Sequence, residues 1–331
     1  GVKSTIEETR TERFIGIANR MGRIPIPLNY YGAATGRWSA GSGQKVNFQN
    51  IPRGSKLKEA IIAPQGYVIV GADLSNIELR VGMWVAGETE ALRILGEGGD
   101  LYKEFASMAF GVPYDEVTKD QRFIGKTSQL GLIFGVGAAK LRGAVKAGSG
   151  KDLGEVEAKR IVDLYRATYT GVTGLWRTCN DAIKYIADDV HGFKFGTKGI
   201  FRVDGKKGIR LPSGMYMQYP QLANGIDEKT GEQGYKYKLR NGYDRLYGGK
   251  LTNNLVQGTA RCIMSEAMVR VSRRYDIVLT IHDALYILAP EAEAEEALKF
   301  LMGEMTKPPS WMPDIPLAAE GGYGRSLKDA G

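Results

Sequence analysis

The 331-residue chain holds only two cysteines, Cys179 and Cys262. Two thiols build no disulfide framework and show no metal-ligand spacing, so they read as reduced thiols in a reducing compartment. No run of about 18 apolar residues is present for a membrane span, and the N-terminus shows no signal-peptide pattern. Internal repeats are also missing. The first residue is Gly1 rather than a methionine, so the chain reads as part of a longer protein. Positive charge, in contrast, is in excess. A net charge of +8 favours an anionic partner without naming it, and the length suffices for a large core and two or three subdomains.

Two short carboxylate segments carry the most information. Asp73-Leu74-Ser75-Asn76-Ile77-Glu78-Leu79-Arg80 follows the strand-like run Tyr67-Val68-Ile69-Val70, and Ile281-His282-Asp283-Ala284 follows Ile277-Val278-Leu279-Thr280. An Asp at the end of a buried strand is expected to be poorly solvated and to need a cation as partner. Two such residues on neighbouring strands can hold a pair of Mg²⁺ ions roughly 3.5–4 Å apart, as in-line phosphoryl transfer requires. The second segment reads as a hairpin with Asp283 at its tip, facing Asp73 across the sheet edge; Asp is also simply common in turns. Ser75-Asn76-Ile77-Glu78 has the spacing of a capping box, with Glu78 reaching back to the Ser75 amide.

Between the two segments, a helix is predicted over Arg122 to Gly135. Arg122, Lys126, Leu130 and Phe134 recur at four-residue steps and form one stripe. Two cations followed by two apolar groups suit a polyphosphate at one end and a flat base at the other, although an ordinary amphipathic helix has the same pattern. The remaining elements are a polar helix from Glu7 to Met21 and a polar loop from Gly41 to Gly54 with Ser42, Gln44, Lys45, Asn47, Gln49 and Asn50. Further on come a helix from Ser75 to Ala86, strand-like pieces at Lys194–Arg202 and Gly214–Tyr219, a helix from Thr252 to Arg274 and a last helix near Ala292–Met305.

Taken together, these segments resemble the polymerase module of the family A (DNA polymerase I-like) DNA polymerases, most of all the phage-encoded ones. Asp73, Ser75, Glu78, Leu79 and Arg80 match the family's Asp-x-Ser-x-x-Glu-Leu-Arg segment. Arg122, Lys126, Phe134 and Gly135 match its nucleotide-binding helix, and His282-Asp283 its His-Asp-Glu turn. Thr35-Gly36-Arg37-Trp38-Ser39 with Asn47-Phe48-Gln49-Asn50-Ile51-Pro52, and Asn253-Asn254-Leu255-Val256-Gln257-Gly258-Thr259-Ala260, agree as well, all in the family's order.

The resemblance implies an α/β (α+β) right-hand polymerase fold with palm and fingers and most of the thumb absent. Residues 1–28 would end the thumb, 29–88 and 250–331 would form the palm, and 89–249 the fingers. It implies template-directed addition of dNMP from dNTP to a primer 3′-hydroxyl with release of pyrophosphate, by a DNA-directed DNA polymerase of phage replication. Two Mg²⁺ ions would sit on Asp73, Asp283 and the Leu74 backbone carbonyl, with Lys126 as proton donor. Arg122, Lys126, Leu130, Phe134, Glu78 and Tyr102 would bind nucleotide, Glu78 as a steric gate against the ribose 2′-hydroxyl. Arg37, Asn47, Gln49, Asn253, Gln257 and His282 would contact primer–template DNA. A monomer in the cytoplasm of a phage-infected or bacterial host, without a membrane partner, is the implied setting.

Several positions depart from the family's pattern. Ala284 stands where the turn has its second carboxylate, Leu130 and Phe134 replace aromatic and tyrosine residues, and Tyr102 replaces a histidine. Nothing matches a proofreading exonuclease. Three competing readings stay open: a single-subunit RNA polymerase, which would lack Glu78; a catalytically idle remnant that binds primed DNA; and a nucleotide-binding domain of another fold.

Overall fold

The computed structural model of the protein describes residues 2–41, 47–51, 54–226, 231–239 and 242–331. Ser42, Gln44, Lys45 and Pro52 of the polar loop lie outside the described residues. The chain divides into two compact units, Gly1–Ser75 with Ile263–Lys307 and Leu317–Gly331, and Asn76–Cys262 with Pro308–Pro316. The boundaries fall after Ser75 and Cys262, where the sequence reading divided the chain after residues 88 and 249.

The first unit is built on a four-stranded antiparallel sheet. Its order is Ile277–Ile281, Ala284–Pro290, Tyr67–Leu74, Ala319–Gly324. Tyr67–Leu74 is an inner strand, buried from Val68 through Ala72. That explains its unbroken apolar run: a strand paired on both edges and covered has no solvent face to fill with polar residues. Ile277–Ile281 and Ala284–Pro290 form the expected hairpin, joined through His282 and Asp283. The Ala294–Met305 helix packs on the sheet and buries Ala294, Ala297, Leu301 and Met305, spaced to share one face. The Val2–Met21 helix adds Phe14 and Ile17 to a core that includes Phe48, Leu57, Ile69 and Leu279, and the Phe14 and Phe48 rings stack at 5.5 Å. Gly71 lies opposite Tyr286 on the neighbouring strand. A Cβ there would come within 2.6 Å of the Tyr286 ring and 2.4 Å of the Ala330 carbonyl, so only glycine fits.

The second unit is mostly helical. Helices Ile77–Ala86, Thr89–Gly96, Leu101–Phe110, Lys119–Leu132, Ala138–Ser149, Glu155–Thr168 and Thr170–Ala187 surround a core that includes Leu79, Met83, Phe105, Leu132, Ile161 and Tyr165. Two small antiparallel sheets follow, one of four short strands between His191 and Met217 and one of three between Ala223 and Leu246. The strand expected over Lys194–Arg202 is two strands, His191–Phe195 and Phe201–Asp204. A turn with Gly196 at φ 73° and Lys198 at φ 57° separates them, and a continuous strand cannot pass through that backbone. The Gly248–Val271 helix starts four residues earlier than Thr252.

Candidate active site

In the first unit, Asp73 is the penultimate residue of the inner strand and pairs directly with Ala284 on one side and Glu320 on the other. Residues opposite one another in an antiparallel sheet share a face. Asp73 is therefore flanked by a methyl group and a second carboxylate. Asp283 sits one residue before Ala284, and its carbonyl accepts the Leu74 amide at 3.1 Å, which fastens the hairpin tip to the end of the strand. The Asp73 side chain is exposed rather than desolvated. Burial and the charge of Asp73 push the Tyr286 phenol up.

Asp283 is only 21% exposed and meets the Arg37 guanidinium, itself 21% exposed, at 3.4 Å. His282 takes the left-handed corner of the hairpin at φ 51°. Gln49 holds it there: the His282 amide donates to Gln49 Oε1 at 2.9 Å, its ring Nε2 lies 3.0 Å from the Gln49 carbonyl, and Gln49 Nε2 donates to the Thr280 carbonyl at 2.6 Å. Gln49 and His282, both assigned to DNA from sequence, thus hold one another. Among the described residues, Asn47 Oδ1 is buried without a hydrogen-bond partner.

Two aspartates at adjacent strand ends supply the hard oxygen donors that Mg²⁺ takes when waters and substrate phosphates complete its shell. That donor set fits the ion. Among the described residues no three His, Cys, Asp or Glu side chains gather into a group that could hold one.

In the second unit, the predicted cationic helix runs from Lys119 to Leu132. Thr118 and Gln121 form a capping box at its start. Arg122 and Lys126 are exposed and Leu130 is half-buried, as the stripe predicts. Phe134 lies beyond the helix end, contrary to the sequence reading. The last turn tightens, Gly135 turns left-handed at φ 75°, and the Trp176 indole caps the Ile133 carbonyl at 2.9 Å. Phe134 instead lines a pocket of about 290 Å³ with Gly135, Val136, Gly137, Ala138, Ala139, Lys140 and Tyr247.

The helix carrying Glu78 starts at Ile77 with Asn76 as N-cap, in the left-handed region at φ 53°, and without a side-chain cap bond. The Ser75 amide, which the capping box would give to Glu78, donates instead to the Ala318 carbonyl at 2.9 Å. Tyr102 is 4% exposed, and its hydroxyl donates to Asn76 Oδ1 at 2.9 Å. Arg122 pairs with Asp100, whose Oδ1 accepts the Tyr102 and Lys103 amides at 3.0 and 3.2 Å. Asn253 and Gln257 are half-buried, one turn apart on the Gly248–Val271 helix between fully buried neighbours.

Sequence reasoning missed Glu320, Asn76 and Asp100. Asp100 carried a signal, an N-cap residue before an apolar helix start. Glu320 carried none, because Ala-Glu-Gly-Gly-Tyr-Gly does not read as a strand.

A family model described as DNA polymerase family A matches residues 3–189. The chain is 28% identical over 373 residues to the DNA polymerase of Bacillus phage SP02, spanning 97% of this chain and 55% of that protein. It is 30% identical over 342 residues to DNA polymerase I of Pseudomonas aeruginosa, spanning 99% of this chain and 32% of that protein. Among solved structures it resembles the POL domain of Pol1 from M. smegmatis, in complex with DNA primer-template and dNTP. There the TM-score is 0.74 and the identity 25%, over 99% of this chain and 52% of that one. The chain thus spans about half or less of these relatives.

Proposed function

The chain belongs to DNA polymerase family A, and from that premise we propose that it extends a DNA primer on a template, using dNTPs, as part of phage DNA replication. The observation that carries the reading is the register at the sheet edge, where Asp73 lies opposite Ala284 and the Asp283 carbonyl takes the Leu74 amide. Residues 1–28 end the thumb, the rest of the first unit belongs to the palm, and most of the second unit is the fingers. Primer O3′ attacks the α-phosphorus, the new P–O bond replaces the bond to the bridging oxygen, and pyrophosphate leaves. Asp73 and Asp283, with the Leu74 carbonyl, would hold two Mg²⁺ ions, which when bound would supply Lewis acidity for the primer hydroxyl and positive charge against the phosphates.

Arg122 and Lys126 take the β- and γ-phosphates, and Lys126 Nζ gives a proton to the departing pyrophosphate. Glu78 occupies the space of a ribose 2′-hydroxyl. Phe134 offers its ring beside a base, and Leu130 packs against the sugar. Arg37, Asn47, Gln49, Asn253, Gln257 and His282 meet primer–template. Primer extension with dNTPs or rNTPs, with Mg²⁺ or a chelator, tests the reading; metal-dependent extension with dNTPs is expected, and preference for rNTPs would turn it to RNA synthesis. A catalytically idle primer–template binder is the second reading. Ala284 and the Arg37–Asp283 ion pair favour it, since both lower the negative charge available to a cation. Binding of primed DNA without extension would select it.

A further inference from the structure

We propose that Tyr102 is a positioning residue for sugar selection, its hydroxyl holding Asn76 and thereby the helix start from which Glu78 projects. This rests on the reading of Glu78 as the gate against the ribose hydroxyl. The corner residue is the weak point of that helix. Asn76 is left-handed at φ 53° and ψ 35°, a region that Asn enters more readily than most side chains but that gains from a fixed partner. No cap bond from its own side chain helps it. Its carbonyl accepts the Arg80 amide at 3.0 Å, the first bond of the helix, and its Oδ1 accepts the Tyr102 hydroxyl at 2.9 Å. Glu78 follows two residues later, in the first turn.

Tyr102 is anchored firmly enough to serve. Only 4% of it is exposed, and it sits in the first turn of a helix capped by Asp100. Its carbonyl faces Gly125 of the cationic helix, where a Cβ would come within 2.2 Å. Burial, and next the charge of Asp100, push the phenol up to about 12, so it remains a donor at neutral pH. The Arg122 guanidinium lies 5.7 Å from the centre of the Tyr102 ring and pairs with Asp100. One phenol thus links a phosphate-binding cation to the corner that sets the gate. A direct contact from this hydroxyl to a nucleotide phosphate is the competing role, and its hydrogen is already given to Asn76.

The two roles separate because dNTP and rNTP carry the same triphosphate. With the 331-residue chain, incorporation efficiency is measured for both nucleotides in Tyr102→Phe, Asn76→Ala, the double variant, Asn76→Asp and Glu78→Ala, alongside melting temperatures. Tyr102→Phe and Asn76→Ala are each expected to lower the dNTP/rNTP ratio roughly three- to tenfold, as one hydrogen bond allows. The double variant should lower it no further, and Asn76→Asp, which keeps the acceptor, should retain it. An unchanged ratio in Tyr102→Phe, with both efficiencies lowered together, overturns the proposal in favour of a phosphate contact or a packing role. If Glu78→Ala lowers the ratio and Tyr102→Phe does not, the gate stands and the positioning role fails. If Glu78→Ala leaves the ratio unchanged, the gate itself is lost, and the proposal with it.

Discussion

Gly125 tests how the cationic helix is seated. It lies in the interior of Lys119–Leu132, where glycine costs about 1 kcal/mol relative to alanine. On propensity alone, Gly125→Ala should stabilise the protein by about that amount. The structure reverses the sign. An added Cβ would lie 2.2 Å from the Tyr102 carbonyl oxygen and 3.1 Å from the Ala106 Cβ. Backbone cannot swing aside as a flexible side chain can, so the Leu101–Phe110 and Lys119–Leu132 helices must separate by about 1 Å, given an ordinary contact of ~3.4 Å or more. Overpacking of this kind costs about 1–3 kcal/mol and more where backbone moves, leaving a net loss of roughly 1–2 kcal/mol. Gly143 is the control. It sits in the interior of Ala138–Ser149 with nothing within 4 Å of its Cβ position, and Gly143→Ala should stabilise by about 0.5–1 kcal/mol. Thermal or denaturant melts should therefore separate the two variants by roughly 2–4 °C, in opposite directions from the parent. Because the seat carries Arg122 and Lys126, Gly125→Ala should also raise the KM for dNTP while Gly143→Ala leaves it alone. A Gly125→Ala protein as stable as Gly143→Ala would refute the close packing of the two helices.

Asp73→Ala and Asp283→Ala should each abolish extension by several orders of magnitude while primed-DNA binding persists; near-parental turnover in either would end the two-metal assignment. Ala284→Glu restores a carboxylate next to Asp73 in the register and should maintain or raise activity and lower the Mg²⁺ concentration needed for half-maximal rate, whereas a severe loss would mean that the turn cannot seat it. Lys126→Ala should act mainly on kcat and Arg122→Ala mainly on KM, with Asp100→Asn as the comparison that removes the Arg122 ion pair but keeps the guanidinium; unchanged kinetics in both cation variants would make the helix structural. The Trp84 indole and then Lys198 hold the Asp314 carboxyl below its ordinary range. Its contribution is therefore present above the unfolded value near ~3.9 and lost as pH falls through the lower folded one, so Asp314→Asn should flatten the acid side of the Tm profile.

Local chemistry was legible where it was continuous in sequence. The apolar run Tyr67–Val70 reads as a strand, the Arg122–Lys126–Leu130 spacing as a helix stripe, and the β-branched or apolar residues on either side of His282-Asp283 as a hairpin. Boundaries were less legible, for identifiable reasons. The cationic helix stops at Leu132 because Gly135 turns left-handed, which a four-residue spacing continuing to Phe134 conceals. The capping-box spacing at Ser75 misled because the strand takes the Ser75 amide into a pair with Ala318, and pairing across more than two hundred residues leaves no local trace.

The same reason explains what the site added to the sequence. Glu320 reaches the face of Asp73 only through register, at the outer strand of the sheet, and its glycine-rich surroundings exist so that two strands can approach closely. A Cβ on Gly321 would meet the Gly71 carbonyl at 2.2 Å. The departure at Ala284 therefore reads differently in three dimensions than along the chain. In sequence it is a missing carboxylate next to Asp283. In the sheet it is a methyl on one side of Asp73, with a carboxylate on the other. The carboxylate nearest to Asp73 by register is thus Glu320 on the outer strand, and Glu320→Ala should raise the Mg²⁺ concentration needed for half-maximal rate if that charge helps hold a cation there.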